Sequence, residues 1–89
     1  VASFSLRIKP SAAKEIEGIE PKAVRQRVIA RIQALAENPR PPGCEKLSAR
    51  EGRYRVRQSD WRILYAIEED RLVVLVVKVG HRREVYRST

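Results

Sequence analysis

The residues of this chain best suited to chemistry are arginines, gathered in its second half with a few aromatics among them. Arg53, Arg55 and Arg57 alternate with Tyr54, Val56 and Gln58. An extended backbone throws such a set onto one side, with about 7 Å between neighbours. That interval is close to the spacing of phosphates along a single nucleic acid strand. Arg62 follows on the next segment, and His81, Arg82 and Arg83 come directly after Gly80, with Tyr86 close behind. A guanidinium stays charged and can grip a phosphate through two parallel hydrogen bonds. Converging arginines therefore suit a site that stabilises the charge of a phosphorane-like transition state. A tyrosine beside them can stack on a base.

Each of these residues also has an ordinary explanation. Arg53, Arg55 and Arg57 could form the solvated face of an edge strand. Trp61 and Tyr65 share an alternating row with Ile63 and Ile67, which reads as sheet packing rather than a base platform. Taken singly, His81 reads as a strand-end residue and Tyr86 as a packing residue. Cys44 follows a Pro-Gly turn and reads as an inert packing group, not a nucleophile. Other chemistries are excluded more firmly. The chain has no glycine-rich phosphate loop, no G-x-S-x-G and no paired Cys or His at metal spacing. Neither a metal nor a cofactor is expected.

The elements that must carry these side chains follow from periodicity. Phe4 to Lys9 alternates apolar and polar residues, as a half-buried strand does. Pro10 ends it, and Ser11 suits the N-cap of a short helix through Ile16. Pro21 opens a second helix whose Val24, Val28, Ile32 and Leu35 form a core-facing stripe, with Arg25, Arg27, Arg31 and Glu37 toward water. Asn38-Pro39 stops it. Pro41-Pro42-Gly43 is a stiff loop, after which the period becomes two. A strand carrying the arginine trio meets a turn at Ser59-Asp60. The next runs from Trp61 to Ile67, with Arg62, Leu64 and Ala66 opposite the Trp61 row. Glu68-Glu69-Asp70 turns the chain again. Arg71 to Val79 is apolar on both faces and belongs inside a sheet, and Gly80 breaks it.

The order is strand, helix, helix, then three strands in hairpin succession. It predicts an α+β domain, a twisted and mostly antiparallel sheet with the helix pair on one face. The arginines then fall on the other face. Eighty-nine residues make a single domain, 1–89, since two cores would each be too small. The net charge of +8 favours a polyanionic or acidic partner over a membrane surface, because no segment has the pattern of an interfacial helix. The longest apolar run, Leu72 to Val77, is too short to span a bilayer. One cysteine makes no internal disulfide, so a cytoplasmic setting is expected.

The motifs of the second half, taken in order, resemble the RelE branch of the RelE/ParE toxins. They are Leu47, Tyr54-Arg55-Val56-Arg57, Asp60-Trp61-Arg62-Ile63-Leu64-Tyr65, Val79-Gly80-His81-Arg82 and Glu84-Val85-Tyr86. The first half agrees more loosely, through its strand, helix pair and Asn38-Pro39 stop. The resemblance implies a toxin of a type II toxin–antitoxin system, an endoribonuclease that cuts mRNA in the ribosomal A site and so inhibits translation. Its partners would be the ribosome's small subunit, mRNA and a cognate acidic antitoxin, in assemblies up to a heterotetramer or higher. It carries catalytic roles onto Arg55, Arg57, Arg62, Arg82 and Tyr86. Arg62 and Arg82 would hold the scissile phosphate, Tyr86 would stack on or orient the base, and Arg55 and Arg57 would bind neighbouring phosphates. The charge pattern adds Arg53 and Arg83 as expected RNA-binding residues. The best-known member of that branch has lysines where Arg55 and Arg57 stand, and arginine cannot act as a base. Either His81 accepts the proton, or positioning and charge stabilisation supply most of the acceleration. Two alternatives stay open: a DNA gyrase inhibitor of the ParE type with the same fold, and a basic RNA-binding module without activity.

Overall fold

The computed structural model describes residues 3–47 and 52–83. Strand β1 (Ser5–Ile8) leads into helix α1 (Pro10–Glu17) and helix α2 (Lys22–Glu37). Strands β2 (Glu45–Lys46), β3 (Arg53–Gln58), β4 (Trp61–Glu68) and β5 (Val73–His81) follow, with a 3-10 turn at Glu69–Arg71. The strands form one mixed sheet in the order β1-β5-β4-β3-β2. Among the described residues only the β1–β5 pair is parallel; it is the pair separated by the two helices.

Both helices cover one face. Ala12, Ile16 and Ile19 of the α1 region and Val28, Ile32 and Leu35 of α2 pack on Tyr54, Val56, Ile63, Tyr65, Ile67, Val74, Val76 and Val79. Each fully buried aliphatic side chain here contributes roughly 1.5–3 kcal/mol by leaving water. The alternation of β3 and β4 is as their sequences predict, so Arg53, Arg55, Arg57, Arg62, Leu64 and Ala66 lie opposite the helices.

The structure departs from the sequence pattern in several places. Helix α1 begins at Pro10, with Lys9 rather than Ser11 in the cap position, because proline's fixed φ suits the first helical turn. Pro21 is likewise the cap of α2 rather than its first residue. Arg25 donates to the Ile19 carbonyl and Arg31 is half-buried, so neither is simply solvated. The two-residue β2 pairs with β3 at positions to which the sequence pattern assigns no strand. Gly80 does not end β5: it is buried opposite Arg62, and the strand continues to His81. A missing side chain at Gly80 leaves room across the ladder for the large one at Arg62.

The most consequential departure is a bulge in β5. Leu64 pairs with Lys78 but Tyr65 pairs with Val76, so Val77 is an extra residue. The core-facing positions therefore change from Val74 and Val76 to Val79 and His81, from even to odd.

Behind the sheet, Tyr65 pins the loop after α2. Its ring is fully buried, stacks on Tyr54 at 5.9 Å, and its hydroxyl donates to the Pro39 carbonyl at 2.7 Å. Arg40 adds a hydrogen bond to the Tyr54 hydroxyl and an ion pair with Glu69. Burial pushes the Tyr65 phenol well above the usual tyrosine range, with Cys44 and Tyr54 adding to the effect. Tyr65→Phe leaves the Pro39 carbonyl without this donor and should cost about 1–2 kcal/mol in urea unfolding at neutral pH. The neutral phenol is favoured in the fold, so its contribution is intact below about pH 10 and is lost as pH rises above it. Tyr65→Phe should flatten that alkaline slope.

Candidate nucleic-acid site

One end of the sheet gathers most of the arginines. Arg57 and Arg62 are direct partners across β3 and β4. The backbone N–H of Arg82, just past β5, donates to the Asp60 carbonyl at 2.7 Å, which brings a third strand's arginine to the same end. Arg82 is half-exposed, with its Nε 3.8 Å from the Asp60 carboxylate, and Arg83 beside it is exposed. Farther along β3, Arg55 is held by Glu45 of β2 at 2.9 Å, and Arg53 is half-buried. Arg57 projects into solvent.

Arg62 is not the projecting side chain its sequence context suggests. It is only 7% exposed, and its guanidinium donates to the carbonyls of Ser59 and Trp61 at 3.3 and 3.2 Å, while Nε has no hydrogen-bond partner among the described residues. It thus braces the two-residue turn between β3 and β4. That turn needs a brace: Ser59 has φ +57°, a left-handed conformation that costs a side-chain-bearing residue roughly 1–2 kcal/mol. The unused Nε donor is itself buried, so the side chain serves the turn first.

His81 lies on the other side. The bulge turns it toward the helix-covered face, where its ring meets Trp61 edge-on at 5.8 Å. Its Nδ1 accepts the Arg83 N–H at 3.4 Å, a contact that leaves Nε2 to carry the proton of the neutral ring. The structure therefore groups Arg57, Arg62 and Arg82, sets Arg53 and Arg55 along the same face, and separates His81 from them. Tyr86 lies outside the described residues, as do Glu84 and Val85.

One contributor to this end is invisible in the sequence. Among the described residues, β5 beyond Val76 has no strand beside it on the β1 side, because β1 stops at Ile8. Glu15 of α1 fills the gap: its carboxylate accepts the Val79 N–H at 3.0 Å and pairs with Lys78 at 3.0 Å. It ties the helix to the segment that leads into Arg82. No local pattern marks a glutamate that acts on a strand more than sixty positions away. Among the described residues, no group of three His, Cys, Asp or Glu is placed to hold a metal, and no helix is long and apolar enough to cross a membrane.

The sequence and fold have clear relatives. Residues 6–86 match the family described as ParE toxin of type II toxin-antitoxin system, parDE. Toxin RelG of Mycobacterium tuberculosis is 23% identical over 84 residues, 94% of this chain and 97% of its own. A putative RelE-like toxin protein of Escherichia coli is 27% identical over 81 residues, 89% of this chain and 83% of its own. The toxin fold in the intact E. coli RelBE toxin-antitoxin complex superposes with a TM-score of 0.76 at 26% identity, covering 89% of this chain and 96% of that one. The mixed sheet with two helices on one face and the match along nearly the whole chain agree: this protein belongs to the RelE/ParE superfamily of type II toxin–antitoxin toxins.

Proposed function

We propose that this toxin is a ribosome-dependent mRNA endoribonuclease, acting in the ribosomal A site and neutralised by an acidic antitoxin. The observation that carries this reading is that Arg57 of β3, Arg62 of β4 and Arg82 just past β5 lie at one end of the sheet. In the reaction a ribose 2′-oxygen bonds to the adjacent phosphorus and the P–O5′ bond breaks. This leaves a 2′,3′-cyclic phosphate and a 5′-hydroxyl. The arginines neutralise the charge that builds on the phosphate oxygens, while the ribosome fixes the strand for in-line attack. They cannot accept the 2′ proton. With His81 turned to the opposite face, that proton leaves to solvent and the leaving oxygen takes one back.

His81→Ala should therefore slow cleavage by less than about tenfold, and the pH–rate profile should lack an inflection in the histidine range. A hundredfold loss with such an inflection would restore His81 as the base. The antitoxin reading is supported by similarity to a toxin solved in complex with its antitoxin, and by complementarity between an acidic partner and a face rich in arginine. The matching family description, which names ParE, favours a second reading, inhibition of DNA gyrase by binding. Purified ribosomes programmed with a defined mRNA, run beside a gyrase supercoiling assay, test both. Cleaved mRNA with unaffected gyrase supports the nuclease; the reverse replaces it.

A further inference from the structure

A cleft of about 280 Å³ opens at the arginine end of the sheet, on the side away from the arginine face. Pro21 and Val24, from the start of α2, line it together with Trp61 and His81. Glu20 and Asp60 also line it. We infer that this cleft is a nucleobase subsite that takes one base of the bound RNA and prefers guanine. The inference deepens the nuclease reading and rests on it.

Four observations converge on the cleft. A cleft lined by an indole, an imidazole and apolar side chains is a place where a base can stack. The carboxylates of Glu20 and Asp60 are acceptors, and His81 Nε2–H is a donor. Guanine alone among the four bases shows two adjacent N–H donors beside an acceptor, so it matches this set best, and uracil matches it worst. Next, Asp60 is shared: it lines the cleft while its carboxylate lies 3.8 Å from Arg82. A base in the cleft would therefore have its own phosphate within reach of Arg82. Finally, the wall is built at a cost. Ser59, also on the cleft, is held at φ +57°, and the buried Arg62 is spent on bracing the turn that presents Asp60 and Trp61. Strain maintained in this way collects at ligand sites.

A basic side chain of a protein partner would also like carboxylates beside an indole. It would, however, enter next to Arg82 on a chain of net charge +8, whereas a base enters neutral and brings a phosphate that the arginines attract.

The chain has a single tryptophan, so the Trp61 indole N–H gives one NMR signal that reports on the cleft. Titrating the purified chain with the four ribonucleoside 5′-monophosphates should move that signal, GMP at about tenfold lower concentration than UMP. Glu20→Gln, a near-isosteric change at an exposed position, should remove most of the GMP advantage and leave UMP unchanged. An unmoved signal, or equal response to all four nucleotides, overturns the inference. So does a signal that responds to triarginine and not to nucleotides. Programmed ribosomes carrying each base at the cut position separate the two readings. A chain that cuts them with no nucleotide-dependent shift loses the subsite and keeps the nuclease activity. A chain that discriminates GMP yet cuts nothing keeps the subsite and loses the nuclease activity.

Discussion

Arg82→Ala should cut a programmed ribosomal mRNA about a hundredfold more slowly than the parent chain while folding normally. The fold does not depend on this side chain. It is half-exposed, its link to Asp60 is a 3.8 Å surface ion pair, and its backbone N–H bond to Asp60 survives the substitution. Surface pairs of this kind contribute roughly 0–1 kcal/mol, so the melting temperature should barely move. The effect on rate has a different origin. A guanidinium beside the scissile phosphate acts on charge that grows during attack, and one such donor typically accounts for about 3 kcal/mol of the barrier. The loss should appear in the rate of the chemical step more than in the ribosome concentration needed for half-maximal rate. Arg82→Lys keeps the charge but not the paired donors, and should fall between. Arg27→Ala, on the exposed side of α2, should cut like the parent. Parent-like cleavage by Arg82→Ala would dismantle the proposed site and promote the gyrase or plain binding readings.

Much of this site was legible from alternation alone. The Trp61, Ile63, Tyr65, Ile67 row and the stripe through Val28, Ile32 and Leu35 settle which face is core, and from that the Arg53, Arg55, Arg57 face follows. Periodicity fails where both faces are apolar. From Leu72 to Val77 no residue type marks inside from outside, so the extra residue at Val77 leaves no trace in composition. That one residue decides that His81 points to Trp61 and away from the arginines. Gly80 was misleading for a related reason: glycine reads as a strand breaker, but here it sits inside the ladder opposite a bulky partner.

Side-chain position was less legible than strand position. Alternation places Arg62 on the arginine face but says nothing of its bending back onto Ser59 and Trp61, which depends on the shape of the turn. Glu15 was missed because its target is the unpaired edge of β5, an edge that exists only once β1 has paired in parallel and ended at Ile8. The shared carboxylate of Asp60 read as turn chemistry, which it is, and gave no sign of also lining a cleft.

Arg62 is therefore the residue at which structure and chemistry must be pulled apart experimentally. Arg62→Ala removes the brace of a left-handed serine, exposes the Ser59 and Trp61 carbonyls to less favourable partners and empties space opposite Gly80. A stability loss of about 2 kcal/mol is expected in urea unfolding, in line with charged hydrogen bonds to backbone. Cleavage should fall by a hundredfold or more, but that alone would not distinguish a missing phosphate ligand from a collapsed turn. Ser59→Gly supplies the distinction. Glycine adopts φ +57° without steric cost, so this substitution should stabilise the parent chain by about 0.5–1 kcal/mol. It should return a similar amount to the Arg62→Ala chain. If Arg62 is a phosphate ligand, the stabilised double variant stays as inactive as Arg62→Ala. If Arg62 only shapes the turn, cleavage recovers along with stability, and Arg57 and Arg82 alone must carry the phosphate.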